Sequence, residues 1–376
     1  MTNWYPTAEE PAKAVWVREH AKAVRIHDDV VVLHCLGPDP KLTRGYRMEQ
    51  ETDDNLSEGI PTYRLSYRPS SIPASSFPIY LWSVFRAFRN LVDRGFRPEI
   101  VHAHVYDAGG AAVLAGALYR VPVVVSEHFS SFPRRLLGRL DVLKAWLAFR
   151  GANVVLPVSQ SLQTAIERYG IRARFHVIPN VADTALFRPP AQPRKTGDCK
   201  RILFVGQLAS VKGIPYLLLA LSRLAERRSD WHLDIVGDGD ARTEYEQMVV
   251  ELELGDRVTF HGRKPKRDVA EFMCQADLFV LPSLCETFSA PAAEALAAGT
   301  PVLATRCGGP QEFIVKEVGL LVAPGDAETL RSGLDYMLEN LHLYSRRHIA
   351  EYARERFSPE CVGAQLHSVY RSLAGR

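Results

Sequence analysis

Two glutamates with seven residues between them, Glu286 and Glu294, sit in the stretch SLCETFSAPAAEALAAGTPVLATRCGG, residues 283–309. The preceding DLFVLPS reads as a strand, LCETFS as a loop and APAAEALAAG as a helix, with Ser289 at the N-cap, Pro291 in the first turn and Gly299 just past the end. A carboxylate accepts the paired hydroxyls of a ribose, and the free N–H groups of a helix N-terminus suit a diphosphate. The eight steps from Glu286 to Glu294, at about 100° each, leave them about 80° apart on a helical projection, so they are expected to line one pocket. A second strand–turn–helix unit, ILFVGQLASVKGIPYLLLALSRL, places Gly206 at a sharp turn, Gly213 near a helix start and Lys212 as a point charge at the same helix end. Taken singly, Lys212 reads as a solvated loop lysine and Glu294 as an exposed helix glutamate. The Ala-rich run around Glu294 argues for a helix packed closely against its neighbours.

The elements that must position these groups alternate along the chain. DVVVLHCLG, PEIVHAHV, VPVVVSEH and ANVVLPVS read as strands in the first half, and KRILFVGQL, WHLDIVGDG, RVTFHG, ADLFVLPS and TPVLATR in the second. Helical patterns such as GIPYLLLALSRLAERR and DVAEFMCQA lie between them. Near-continuous apolar strands alternating with helices predict parallel sheets covered on both faces. The pattern pauses at IPNVADTALFRPPAQPRKTGDCK, a Pro- and charge-rich linker without apolar period. The expected fold is therefore α/β, with two doubly wound domains facing a cleft. Residues 1–182 form the first, residues 183–356 the second, and 357–376 a final helix. Such sheets bind ligands at the carboxyl ends of their strands.

Composition limits the class. The chain has 376 residues, 47% apolar and 24% charged, and a net charge of +3, which gives no field for nucleic acid. Residues 1–188 hold 23 Lys+Arg against 18 Asp+Glu, and the remainder 23 against 25, a mild bias of the first half toward anionic partners. The six cysteines show no CxxC and no metal-ligand spacing, consistent with free thiols in a reduced cytoplasmic compartment. The N-terminus lacks the order of a signal peptide, and no apolar run reaches about 18 residues, so neither secretion by that route nor a membrane span is expected. FPRRLLGRLDVLKAWLAFR and LWSVFRAFRNLVDRGFR pair apolar with basic residues. Most such helices are core on one side and wet on the other; attachment to the inner face of an anionic membrane is the sharper reading.

FVLPSLCETFSAPAAEALAAGTPVLATRCGGPQEFI, together with VGQLASVKGI, VGDGD and GLLVAPGD, resembles the donor domain of the family-four retaining glycosyltransferases of GT-B fold. MTNWYPTAEEPAKAVWVREHAKAV, PEIVHAHVYDAGG and VPVVVSEHFSS resemble the first domain of that family, and FSPECVGAQLHSVYRSL its last helix, which crosses back. The resemblance implies that Glu294 holds the ribose of a nucleotide, that Glu286 lies against the transferred sugar, and that the amides of Phe288 and Ser289 meet the diphosphate. It further implies that Lys212 neutralises the leaving diphosphate, beside Gly206 and Gln207, and that His128 approaches the reacting sugar. His102 and His104 read as structural or acceptor-side.

Three positions depart from the family pattern. Gln207 stands where an arginine is common, Ser289 where glycine is common after the ETF motif, and Ala14 where a loop glycine usually faces the donor phosphates. MTNWYP also begins where the first strand of such a domain should already be ending. Asp238-Gly239-Asp240 imitates a metal-binding acidic triplet, but it closes a strand with the composition of a turn. Gly237 and Gly239 lack the third glycine of a dinucleotide fingerprint.

The expected activity is a hexosyltransferase-type, metal-independent transfer from a nucleoside-diphosphate sugar, with retention, to a saccharide or lipid-linked acceptor hydroxyl in polysaccharide, lipopolysaccharide or glycolipid assembly. No cofactor is called for beyond the donor. The competing readings are a sugar-nucleotide epimerase or phosphorylase of the same fold, and a degenerate sugar-nucleotide binder or complex subunit.

Overall fold

The computed structural model describes residues 1–11, 13–72, 76–190 and 199–375. Residues 191–198 of the linker read from the sequence lie outside the described residues. The chain divides into two compact units, Met1–Val181 with Val362–Arg376, and Ala182–Cys361.

In the first unit α1 (Val15–Arg25) is followed by β1 (Val32–Pro38), β2 (Tyr46–Gln50), the single turn α2 (Asp54–Ser57) and β3 (Thr62–Tyr67). Then come α3 (Ser76–Asp93), β4 (Val101–His104), α4 (Tyr106–Tyr119), β5 (Val123–Glu127), α5 (Arg139–Gly151), β6 (Val154–Pro157) and α6 (Gln160–Glu167). The strands form two ladders, β1-β3-β2 and β4-β5-β6. All pairs are parallel except β2 with β3. All five residues of β5 are buried, as a strand covered on both faces requires. The antiparallel β2 was not legible: Tyr46–Gln50 is half-exposed and polar, so it carries no apolar signal.

Thr2 bridges in parallel to both His34 of β1 and His104 of β4. Its N–H donates to the Leu33 carbonyl at 3.0 Å, its carbonyl accepts from the Cys35 N–H at 2.9 Å, and the His104 N–H donates to the Met1 carbonyl at 3.0 Å. Met1 and Thr2 thus join the two ladders. Ala14, at the family's glycine position, caps α1 in the left-handed conformation (φ 51°) and is buried.

The second unit runs β7 (Lys200–Val205), α7 (Ile214–Ala225), β8 (Trp231–Val236), α8 (Arg242–Glu251), β9 (Val258–Gly262), α9 (Lys266–Gln275), β10 (Leu278–Leu281), α10 (Ala290–Ala297), β11 (Val302–Thr305), β12 (Gly319–Val322), α11 (Ala327–Glu339) and α12 (Arg346–Phe357). Its strands make one six-stranded sheet in the order β12-β11-β10-β7-β8-β9. Every pair is parallel. Ile202, Phe204, Leu217, Leu221, Trp231 and Leu233 lie in the core between this sheet and its helices. Read outward from β7, the chain lays down β8 and β9 on one side and then β10, β11 and β12 on the other. The order therefore reverses between β7 and β10, the place where doubly wound sheets bind ligands. The last helix, α13 (Pro359–Ala374), belongs mainly to the first unit, where Val362 and Leu366 pack with Ala23 and Val24 of α1.

Candidate active site: the switch point of the second unit and a histidine cluster in the first

The loops that follow β7 and β10 meet at the reversal. After β7, Ser210–Lys212 makes one tight turn and Gly213 follows at φ 67°. A Cβ on Gly213 would come 2.1 Å from the Pro282 carbonyl oxygen, so only glycine lets this loop press against the end of β10. The Leu284 N–H closes the contact on the Val211 carbonyl at 2.8 Å. Lys212 then reaches Glu286, Nζ to Oε1 at 2.7 Å, and Ser283 Oγ donates to the same oxygen at 2.8 Å. From the other side, the Glu286 N–H donates to the Cys307 carbonyl and its carbonyl accepts from Gly309, binding this loop to the one after β11. Glu286 is a buried carboxylate held on three sides, with a cation whose side chain keeps 24% of its exposure.

Ser289 ends this loop and caps α10 in the left-handed conformation, φ 76°. Its Oγ is buried and has no hydrogen-bond partner in the structure. Phe288 anchors the turn by packing against Phe313 and Phe357, with ring centroids 5.2 and 5.5 Å away. The first amides of α10 are thereby presented at the switch point. In α10, Ala292, Ala293, Ala295, Leu296 and Ala297 are all buried, the close packing expected from the Ala-rich run, and Glu294 is half-buried. The helical projection of the two glutamates does not hold, because α10 begins only at Ala290. Glu286 is on extended backbone bridged to Gly308, beyond the left-handed break at Ser289. Gly206 lies at the end of β7, its N–H on the Val236 carbonyl at 3.0 Å, and Gln207 beside it is exposed.

Asp238 is turn chemistry: its carboxylate accepts the Gly239 N–H at 2.9 Å and pairs with Arg242 at 3.5 Å. A Cβ on Gly239 would meet the Leu208 carbonyl oxygen at 2.4 Å, so this turn is pressed onto the loop after β7.

In the first unit His128 lies just beyond β5 and is buried. Its Nε2 is 3.2 Å from His104 Nδ1, and His20 of α1 meets both rings edge-on at 5.6 and 5.3 Å. His20 Nε2 contacts the Pro179 carbonyl at 3.2 Å. His102 stacks on His104 and bonds Tyr370 Oη at 2.6 Å and Ser126 Oγ at 2.8 Å. Burial drives all four imidazoles down, His20 to about 4 and His102, His104 and His128 well below the ordinary range. His128 is therefore a neutral hydrogen-bonding group at pH 7. One ligating nitrogen each from His20, His104 and His128 lies within 4.8 Å of the others, close enough to share a small cation. Sequence reasoning did not find this grouping, since nothing links position 20 of a helix to two strand ends.

Glu127 was also missed. Its carboxylate is fully buried and accepts the N–H groups of Tyr106 (3.0 Å), His128 (2.8 Å) and Phe129 (2.7 Å). It fixes the backbone that carries His128 and caps α4. Burial outweighs these three donors and pushes it up to about 8. The only signal was its position beside a strand-end histidine in SEH.

The comparisons with known proteins agree with this architecture. Residues 14–186 match the family described as Glycosyltransferase Family 4, and residues 189–356 match Glycosyl transferases group 1. The chain belongs to this glycosyltransferase family. It is 27% identical over 361 residues to a glycogen synthase of Mycobacterium tuberculosis, covering 90% of this chain and 84% of that one. It is also 27% identical over 354 residues to the putative teichuronic acid biosynthesis glycosyltransferase TuaC of Bacillus subtilis, covering 89% and 87%. Among solved structures, Anabaena HepE in complex with UDP and glucose superposes with a TM-score of 0.76 at 22% identity, covering 96% and 95%. Sucrose-phosphate synthase from Thermosynechococcus elongatus does so with the same TM-score and identity, covering 96% and 93%. These structures establish the GT-B fold, two Rossmann-like domains.

Proposed function

We propose that the protein transfers a sugar from a nucleoside-diphosphate sugar to an acceptor hydroxyl with retention of anomeric configuration. The observation that carries this is the Lys212–Glu286 pair at the β7/β10 reversal, beside the amides that open α10. A diphosphate placed there meets a cation, free N–H groups and the unpartnered Ser289 Oγ. Glu294 takes the ribose hydroxyls and Glu286 the sugar. The bond from the anomeric carbon to the diphosphate oxygen breaks, the acceptor oxygen bonds to that carbon on the same face, and the acceptor proton passes to the departing diphosphate. Lys212 and the helix amides supply the positive field, so no metal ion enters the step. Neutral His128 orients the sugar by hydrogen bonding. A UDP-sugar is the first donor to test, since HepE was solved with UDP and glucose. Proton NMR of the sugar released during slow donor hydrolysis should show the donor's own anomer first; the opposite anomer would refute retention.

A lipid-linked acceptor in cell-envelope assembly is supported by one surface. On α5 and the turn before it Leu136, Leu140, Leu143 and Leu147 are 59%, 72%, 52% and 51% exposed, while Ala145, Ala148 and Phe149 face the core. Arg134, Arg135, Arg139, Lys144 and Arg150 lie along the same segment. A face of large apolar side chains flanked by cations fits the headgroup region of an anionic membrane. Among the described residues no helix is long and apolar enough to cross one.

A further inference from the structure

The loops after β10 and β11 make one step of parallel ladder. The Glu286 N–H donates to the Cys307 carbonyl at 2.9 Å and the Gly309 N–H donates to the Glu286 carbonyl at 3.0 Å, the pattern that sets Glu286 across from Gly308. One step back in the same register, Cys285 stands across from Cys307. Neighbours in such a ladder lie about 4.8 Å apart, and side chains in register leave the same face. A disulfide spans Cα atoms about 4.4–6.8 Å apart, so this pair can close without unfolding either loop. The loops are also pressed together, since a Cβ on Gly309 would collide with the Thr287 carbonyl. Both cysteines are thiols, Cys285 half-buried and Cys307 buried. Burial pushes Cys307 up to about 12, and the neighbouring Glu286 and Cys285 groups push the same way.

We propose that Cys285 and Cys307 are a thiol-modification site, closing to a reversible disulfide that disables the Lys212–Glu286 pair beside it. The oxidant is a small disulfide of the glutathione class. Cys285, the more accessible thiol, loses its proton and attacks one oxidant sulfur; a mixed disulfide forms, and one small thiol leaves with a proton. Cys307 then gives up its proton and attacks Cys285 Sγ, and the second small thiol leaves with that proton. Two protein thiols are oxidised to one disulfide, and one small disulfide is reduced to two thiols. Buried Cys307 holds its proton too firmly to attack first, so it is the resolving partner. The bond draws the two Cβ atoms to about 3.8 Å, closer than ladder neighbours hold them, so the backbone that carries Glu286 must move. A displacement of ~1 Å at a positioning group costs about 10²-fold in rate. The same tension makes the bond easy to reduce, the property of a switch and not of a permanent cross-link.

The bond itself is independent of the donor chemistry, whereas the loss of turnover rests on that reading, so the two are read separately. The full chain is held at a series of ratios of oxidised to reduced glutathione, then alkylated under denaturing conditions. Oxidation should remove two alkylated thiols from the intact mass, and tandem mass spectrometry should place the link between Cys285 and Cys307. Donor hydrolysis should fall by ~10²-fold in step with the link and return on treatment with dithiothreitol. Cys285→Ser should form no such link and keep its reduced-state turnover at every ratio. Absence of the Cys285–Cys307 link at all ratios, or a link that leaves hydrolysis unchanged, would overturn the proposal. A Cys285→Ser chain inhibited as strongly as the parent would overturn it as well. Should Cys285→Ser not fold, the link and its reversible loss of turnover in the parent decide the matter. A reduced parent that hydrolyses no donor would instead count against the donor reading, and the mass measurement alone then decides the modification site.

Discussion

Lys212 and Glu286, 74 residues apart in sequence, form an ion pair of 2.7 Å across the point where the sheet of the second unit reverses its strand order. Neither residue is an accident of its loop: Gly213 allows the first loop to touch the end of β10, and Ser283 and Cys307 hold the second.

The pair separates stability from activity. Lys212→Met leaves the buried Glu286 with Ser283 as its remaining side-chain partner and should cost about 1–3 kcal/mol. Turnover of the donor should fall by about 10²–10³-fold, the effect of removing one group that stabilises the departing charge. Glu286→Gln retains the Ser283 contact, so it should melt closer to the parent while losing comparable turnover. Thermal melts and donor hydrolysis rates on both variants check this; a Lys212→Met enzyme with parental turnover contradicts the assigned role.

Two departures from the family's glycines carry strain. Ala14 and Ser289 both sit at positive φ, 51° and 76°, where a side chain costs about 1–2 kcal/mol. Ala14→Gly and Ser289→Gly should each recover about 1 kcal/mol after the glycine's entropy is counted, raising the melting temperature by about 2–4 °C. Ser289→Gly retains the amide, so donor binding should persist.

Acid should unfold the first unit through its histidines. The buried rings stay neutral in the folded chain, His20 down to about 4 and His34 to about 3, against 6.5 when unfolded. Between those values the unfolded chain binds more protons, so this contribution is full above 6.5 and is lost as pH falls through the window. Glu127 runs the other way: raised from 4.5 to about 8, its contribution is full below 4.5 and fades as pH rises through 8. Urea titrations should show uptake of ~2 or more protons on unfolding at pH 5. A midpoint unchanged from pH 7 to pH 5 would contradict the buried neutral cluster.

Vesicle sedimentation tests the α5 face. Vesicles with anionic lipid should retain the protein at low salt, and neutral ones should not. Leu140→Glu with Leu143→Glu should abolish retention without lowering the melting temperature, since both side chains already face water. Equal retention of parent and variant would place any membrane contact elsewhere.

Sequence showed the parallel strands and the strand-end motifs because both follow from local rules: buried strands are apolar runs, and glycine marks turns and close approaches. It missed what depends on distant partners. The loop and the Ser289 cap were legible, yet the two glutamates were projected onto one helix, because nothing local reveals that Ser289 turns left-handed and that Glu286 runs on extended backbone bridged to Gly308. The convergence of His20 on His104 and His128, and the three amides focused on Glu127, arise from tertiary packing between α1, β4, β5 and α4. β2 escaped notice because its side chains are polar and half-exposed.

The most direct test of the donor site is a thermal-shift panel with UDP, GDP, ADP and TDP and their sugars, with and without EDTA, on the parent chain and Glu294→Ala. A nucleotide at 100 times its Kd adds about 2.7 kcal/mol to the folded state. The account predicts a clear rise with one nucleotide, unchanged by chelator and lost in Glu294→Ala. A cooperative melt that no nucleotide shifts would contradict it and favour a binder without turnover; a shift abolished by EDTA would contradict the metal-free reading.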